Sequence, residues 1–288
     1  MPILVYDGGD VMGSLGATRS SERTEFEAER NLLRVRLWPL LLFGGWILQV
    51  GIRLGFAAHR ASPFYLPDEA GYLLAARLLA GGAGGDLSGP HGLYQGGYPV
   101  LISPAFWLSE DPATVYRLVI AINSLVGASL LVLAYVALRR LSLPRTQAYV
   151  LATVTALLPS GIYYGELALT EAILPVVVLG WLLLVHSWLT SGRLGYGVAA
   201  SAVAAYSYCV HARGTIIVMV HAGLLVAVLW RSWAKKRDIA VMASVLVSGS
   251  AAGWALNGWV RSQLYPGGVT ALGDVLFSRL TSVDGLGW

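Results

Sequence analysis

The feature that most constrains this chain is a series of apolar runs, each near the length of a bilayer-crossing helix, with basic residues concentrated in alternate connections. The runs fall at 37–57, 116–138, 146–163, 169–189, 194–209, 215–233 and 239–260. At 1.5 Å per residue, about 20 apolar residues cross a hydrocarbon core about 30 Å thick. The pattern predicts an all-α membrane protein with about seven transmembrane helices. The composition agrees: 56% of residues are hydrophobic and only 12% charged, against about 25% charged in soluble domains. The runs at 146–163 and 194–209 are the shortest. The second of these is rich in small residues (Gly195, Gly197, Ala199, Ala200, Ala204, Ala205) that permit close helix approach.

The basic residues give an orientation. With the N-terminus inside, the inner segments carry Arg19, Arg23, Arg30, Arg34 and Arg36, then Arg139, Arg140 and Arg145, then Arg193, then Arg231, Lys235, Lys236 and Arg237. That asymmetry places the N-terminus in the cytoplasm and, with an odd number of spans, the C-terminus outside. The formal charge of +4 is spread over these connections and forms no basic patch, so nucleic acid is not an expected partner. Residues 1–36 read as a charge-mixed cytoplasmic tail, partly disordered, with no apolar stretch near the start and hence no expected cleavable signal peptide. The lone Cys209 lies within an apolar run, which leaves it no internal disulfide partner.

One connection is far longer than the rest. Residues 58–115 form a first outer loop within the 37–260 membrane module, and long structured loops of this kind carry function. The loop is expected to contain a helix over 67–80, a flexible Gly-rich link (GGAGGDLSGPHG), and an apolar piece at 98–108 too short to span, lying at the interface. Residues 261–288 form an outer C-terminal segment.

Three short stretches hold the residues able to do chemistry. Asp68 and Glu69 open the loop helix, and Asp68 shares a face with Tyr72 at helical spacing. The same acids are also what the first turn of any helix favours. Glu166 and Glu171 flank the hairpin between the third and fourth runs, and an ionised acid there must face the bundle or a wet cavity. Tyr208, His211 and Arg213 stand where the fifth run ends, and the planar guanidinium of arginine matches phosphate. The five histidines show no ligand spacing, so no metal ligands are expected among them. There is no phosphate-binding loop, dinucleotide fingerprint, HExxH or GxSxG.

In order and membrane position, several segments together resemble the GT-C superfamily of integral-membrane glycosyltransferases. They are PDEAGYLLAARLLAGG (67–82), GGYPVLISPAFWL (96–108), YRLVIAIN (116–123), YYGELALTEAILP (163–175) and YCVHARG (208–214). The likeness is greatest to the group containing protein O-mannosyltransferases and lipid A aminoarabinose transferases. It implies a periplasmic first loop with juxtamembrane helices, a bacterial inner-membrane location, and a polyprenyl-phosphate-linked sugar as donor. The acceptor would be a glycan, lipid or protein hydroxyl, and membrane lipids would be constant partners. Asp68 matches the family's first-loop catalytic aspartate, a general base, and Glu69 is the adjacent acid. Arg213, with Arg77 and Arg117, would meet the donor phosphate. Tyr72, Glu166, Glu171, His211 and Tyr208 would orient substrate. The outer carboxylate pair can bind a divalent cation such as magnesium or manganese or act without one, so metal dependence stays open at this point. Members of the superfamily usually continue beyond seven spans, so this chain is expected to be a minimal module or part of a longer arrangement. The alternatives are a lipid or small-solute transporter and a non-catalytic scaffold of the same membrane fold.

Overall fold

A proline decides the local shape of the third apolar run. In the computed structural model, which describes residues 37–64, 68–87, 94–232 and 234–266, the expected single span over 146–163 is two helices. They are α6 (Arg145–Ala156) and α7 (Pro159–Gly165). Pro159 has no N–H to donate to the preceding turn and its ring displaces that turn's carbonyl, so the helix stops and restarts. A carbonyl released by the break is met from the first run. In α1 (Leu37–Ala57), Arg53 is 3% exposed. Its Nη2 donates to Ala156 O at 2.8 Å and its Nη1 to Gly161 O at 2.7 Å. A charged side chain in an apolar run is thereby committed to two backbone carbonyls, that of Ala156 at the end of α6, which has no partner in a following turn, and that of Gly161 inside α7.

The remaining described elements, in chain order, are α2 (Asp68–Leu79), α3 (Gly97–Ile102), α4 (Pro104–Leu108), α5 (Pro112–Arg140), a 3₁₀ turn (Thr170–Ala172), α8 (Leu174–Ser191), α9 (Leu194–Val210), α10 (Gly214–Trp230) and α11 (Lys236–Leu264). Every regular element among the described residues is helical. Among the described residues four helices are long and apolar enough to cross a membrane: α1, α5, α8 and α11. α9 and α10 are apolar but shorter, at 17 residues each, near the lower limit for a span. The loop piece expected at 98–108 is a pair of short helices, α3 and α4, that meet at Ser103. The 1–36 tail, Pro67, His91 and residues 267–288 lie outside the described residues.

Packing divides the chain into a first unit ending at Trp46 and a second beginning at Ile47. In the first, Phe43 and Trp46 stack with ring centroids 6.2 Å apart. In the second, α9 is the central helix, packed against α8, α10 and α11. Its buried face is Gly197, Ala200, Ser201, Ala204 and Ala205, small enough for neighbouring backbones to approach. α5 starts at an Asp111 cap, whose Oδ2 accepts from Thr114 N at 2.9 Å, with proline at its first position. One buried cluster gathers aromatic side chains of α2, α3 and α5, among them Tyr72, Tyr98 and Tyr116, with Leu167 and Ile173. A second joins Trp181, Trp188, Leu225, Met242 and Leu246 around α9. Outward positions stay apolar, as Ile216, Met219, Val226, Val247 and Trp254 show, which suits a lipid-facing surface.

Removing the Arg53 guanidinium should therefore unseat the α6–α7 break. Arg53→Leu is expected to destabilise by roughly 1–4 kcal/mol, two charge-assisted bonds discounted for repacking within lipid. Arg53→Lys, able to reach one carbonyl, should fall between. Thermal unfolding in detergent checks the order; a leucine variant as stable as wild type would contradict it.

Candidate functional site

Asp68 and Glu69 are neighbours in sequence but lie about 100° apart around α2, and the fold uses them oppositely. Glu69 is fully buried. Its Oε1 accepts from Phe64 N at 2.7 Å, and its Oε2 accepts from Tyr116 Oη–H at 2.6 Å and Ala168 N at 2.7 Å. Three segments distant in sequence thus donate to one carboxylate, the arrangement that makes a buried charge tolerable. Glu166 stands beside this anchor. Its carboxylate pairs with Arg60 at 3.3 Å, and Arg60 in turn stacks on the Phe64 ring at 4.9 Å. Glu69 and Glu166 therefore act inward, on structure.

Asp68 is exposed, and the Tyr94 phenol lies 3.3 Å from its Oδ1. The Tyr94 ring passes directly over the α2 backbone: a Cβ at Gly71 would fall 2.2 Å from its Cε2. Only glycine admits that approach. Tyr72 meets Tyr94 and Tyr98 edge to face, at 5.2 and 5.4 Å, and lies near enough to Thr170 for that side chain to bear on its titration. The Thr170 hydroxyl donates to Glu171 Oε2 at 3.1 Å. Asp68, Tyr72 and Glu171 are therefore brought together.

The electrostatics tie further groups to them. Burial pushes the Tyr72 phenol up to about 12; Thr170 opposes this, and the charges of Glu171 and Asp68 add to it. Tyr265, just beyond α11, is pushed up to about 12 by burial, with Arg261 opposing and Asp68 adding. Tyr94 is raised by burial and then by Asp68. Three phenols thus stay protonated as donors at neutral pH around two carboxylates. Arg261, on the last turn of α11, has a buried Nε without a hydrogen-bond partner. His211 ends α9, its Nδ1 accepting from Arg213 N at 3.0 Å, and it feels the charge of Glu171.

The loop is held down from α5, α9 and α11. Asn123 accepts from Tyr98 Oη–H at 3.1 Å and donates to Leu167 O at 2.8 Å. Asn257 accepts from Gly96 N at 2.7 Å, and Leu87 N donates to Leu264 O at 2.7 Å. Gly97 sits against the α9 backbone, where a Cβ would lie 2.6 Å from the Cys209 carbonyl carbon.

Of the residues singled out in the sequence, Asp68, Tyr72, Glu171 and His211 converge, with the exposed Arg213 next to His211. Arg77 lies elsewhere, in a groove on the other face of α2. Arg117 is exposed near Asp111. Tyr208 packs toward α11 at Gly253. Sequence reasoning missed Tyr94, Tyr265 and Arg261; the place of Tyr94 between the Gly-rich link and the next apolar piece was the one available signal. Among the described residues no group of three or more His, Cys, Asp or Glu side chains could hold a metal ion. No protein-family model, curated protein or solved structure matches this chain.

Two outcomes are expected. Glu69→Gln places an amide N–H against a donor, so it should destabilise by about 1–3 kcal/mol and couple to Tyr116→Phe in a double-mutant cycle. Additive effects would contradict the anchor. Burial holds the His211 imidazole below its ordinary value of 6.5, with Glu171 opposing and Arg213 adding. The unfolded chain therefore takes up a proton near pH 6.5 that the folded chain refuses until lower pH, and stability should fall as pH drops through that window. His211→Gln should flatten this part of the pH–stability curve; an unchanged slope would exclude it.

Proposed function

We propose that this chain is a glycosyltransferase that moves a sugar from a polyprenyl-phosphate carrier to an acceptor hydroxyl on the outer face of a bacterial inner membrane. The observation that carries the reading is the convergence of Asp68, Glu171 and His211 with three protonated tyrosines and the partner-poor cation Arg261, at helix ends and loops. In the seven-span arrangement expected from the sequence, with α6 and α7 together making the third crossing, this cluster lies outside. The basic α5–α6 and α10–α11 connections then lie inside. The likeness of the loop segments to the GT-C superfamily supports the same reading.

The chemistry needs a base and a way to accommodate a leaving phosphate. Asp68 is the accessible carboxylate and takes the proton of the acceptor hydroxyl. The acceptor oxygen bonds to the anomeric carbon as the bond from that carbon to the phosphate oxygen breaks, with inversion. The phosphate leaves with the electron pair as polyprenyl phosphate, next to Arg261 or Arg213. Glu171, His211 and the phenols of Tyr72 and Tyr94 hydrogen-bond the sugar. Glu69 acts one step removed, fixing the α2 end that presents Asp68. A transporter would want a polar site near mid-membrane, whereas Arg53 is spent on the carbonyls of Ala156 and Gly161.

Native mass spectrometry of the detergent-purified protein tests this. Asp68→Asn should retain more lipid-linked sugar than wild type, because binding survives while turnover stops, and Arg261→Ala should retain less. Protein that neither carries nor binds such a lipid would sink the reading.

A further inference from the structure

The face of α2 opposite Asp68 borders a groove of about 870 Å3, within the range of 300–1,000 Å3 typical of ligand sites. Its walls include Leu73 and Leu74 of α2 and Phe106 of α4. Two charged residues line it, Arg77 and Glu110, both exposed. Neither makes a side-chain hydrogen bond or ion pair with any described residue, and they do not pair with each other: Arg60–Glu166 is the salt bridge formed among the described residues. Beside the groove, Trp107 and Leu108 are 67% and 73% exposed, the kind of residues that sit at a membrane interface.

We infer that this groove binds a glycerophospholipid whose headgroup carries both a phosphate and a primary ammonium, the phosphate on Arg77, the ammonium on Glu110 and an acyl chain along the apolar wall. The two unpaired charges of opposite sign select this occupant. A purely anionic headgroup would meet Arg77 but be opposed by Glu110. A quaternary ammonium would reach Glu110 without an N–H to donate. An uncharged chain would engage neither charge. Only the zwitterion with donor hydrogens satisfies both ends, through charge-assisted hydrogen bonds. The site is separate from the Asp68 cluster and does not rest on the transferase reading.

The full chain in mild detergent, titrated separately with dioleoyl phosphatidylethanolamine, phosphatidylglycerol and phosphatidylcholine, tests the assignment by native mass spectrometry. The ethanolamine lipid should bind roughly tenfold more tightly than either of the others. Arg77→Ala should weaken it by a similar factor, and Glu110→Gln should erase its advantage over the choline lipid. Both substitutions are at exposed residues, and unchanged melting temperatures would show that the fold is kept. Equal binding of the three lipids, or wild-type binding in both variants, would overturn the assignment. So would Arg77-dependent displacement of the ethanolamine lipid by a polyprenyl phosphate, which would give the groove to the sugar donor.

Discussion

The Glu69 carboxylate is the interaction on which the arrangement of the candidate site depends. It is enclosed, and it is satisfied by donors from the α1–α2 connection, from α5 and from the segment after α7. Burying an ion without partners costs several kcal/mol, so the fold is viable only with these donors in place. The same bonds set the rotation of α2. With Glu69 turned inward, Asp68 is turned outward and Tyr72 faces Thr170 and Glu171. Two adjacent acids thereby acquire different tasks from their surroundings rather than from their chemistry.

A second constraint is backbone satisfaction within the apolar part. The break at Pro159 frees the Ala156 carbonyl, and Arg53 meets it together with the Gly161 carbonyl inside α7. Beyond α7 the chain runs through 166–172, which delivers Ala168 to Glu69 and Glu171 to the cluster. Structural polar residues and site residues are linked in this way, through the path of the chain and not through direct contact. His221 follows the same rule in α10. Trp181 Nε1 donates to its Nδ1 at 3.3 Å and Ser201 lies 2.9 Å from its Nε2, so a polar ring buried among apolar helices is fully partnered.

Much of the helical content was legible, because apolar runs of bilayer length dictate helices and little else. The loop helix was legible too, from Asp68 and Glu69 at its start and the leucines behind them. The break at 157–158 was less visible, since Pro159 sits inside a run whose hydrophobicity reads straight across it. Arg53 stood out as a charge in an apolar run, but the carbonyls it serves are more than 100 positions away in sequence. For the candidate site, residue type singled out Asp68, Glu171 and His211, which the fold places within electrostatic reach of one cluster. It could not separate Asp68 from Glu69, which only the burial around α2 distinguishes. Tyr265 and Arg261 carry no local pattern and Tyr94 only its place after the Gly-rich link; their relevance comes from where Tyr94 and the end of α11 stand relative to Asp68.

The central claim is that Asp68 removes the acceptor proton in a transfer from a lipid-linked sugar. The most direct measurement is release of free polyprenyl phosphate in proteoliposomes supplied with lipid-linked sugars from a total lipid extract, comparing wild type with Asp68→Asn at matched protein and fold. The account predicts time-dependent release by wild type and almost none by Asp68→Asn. Equal release by both would contradict it and leave Asp68 as the start of a helix.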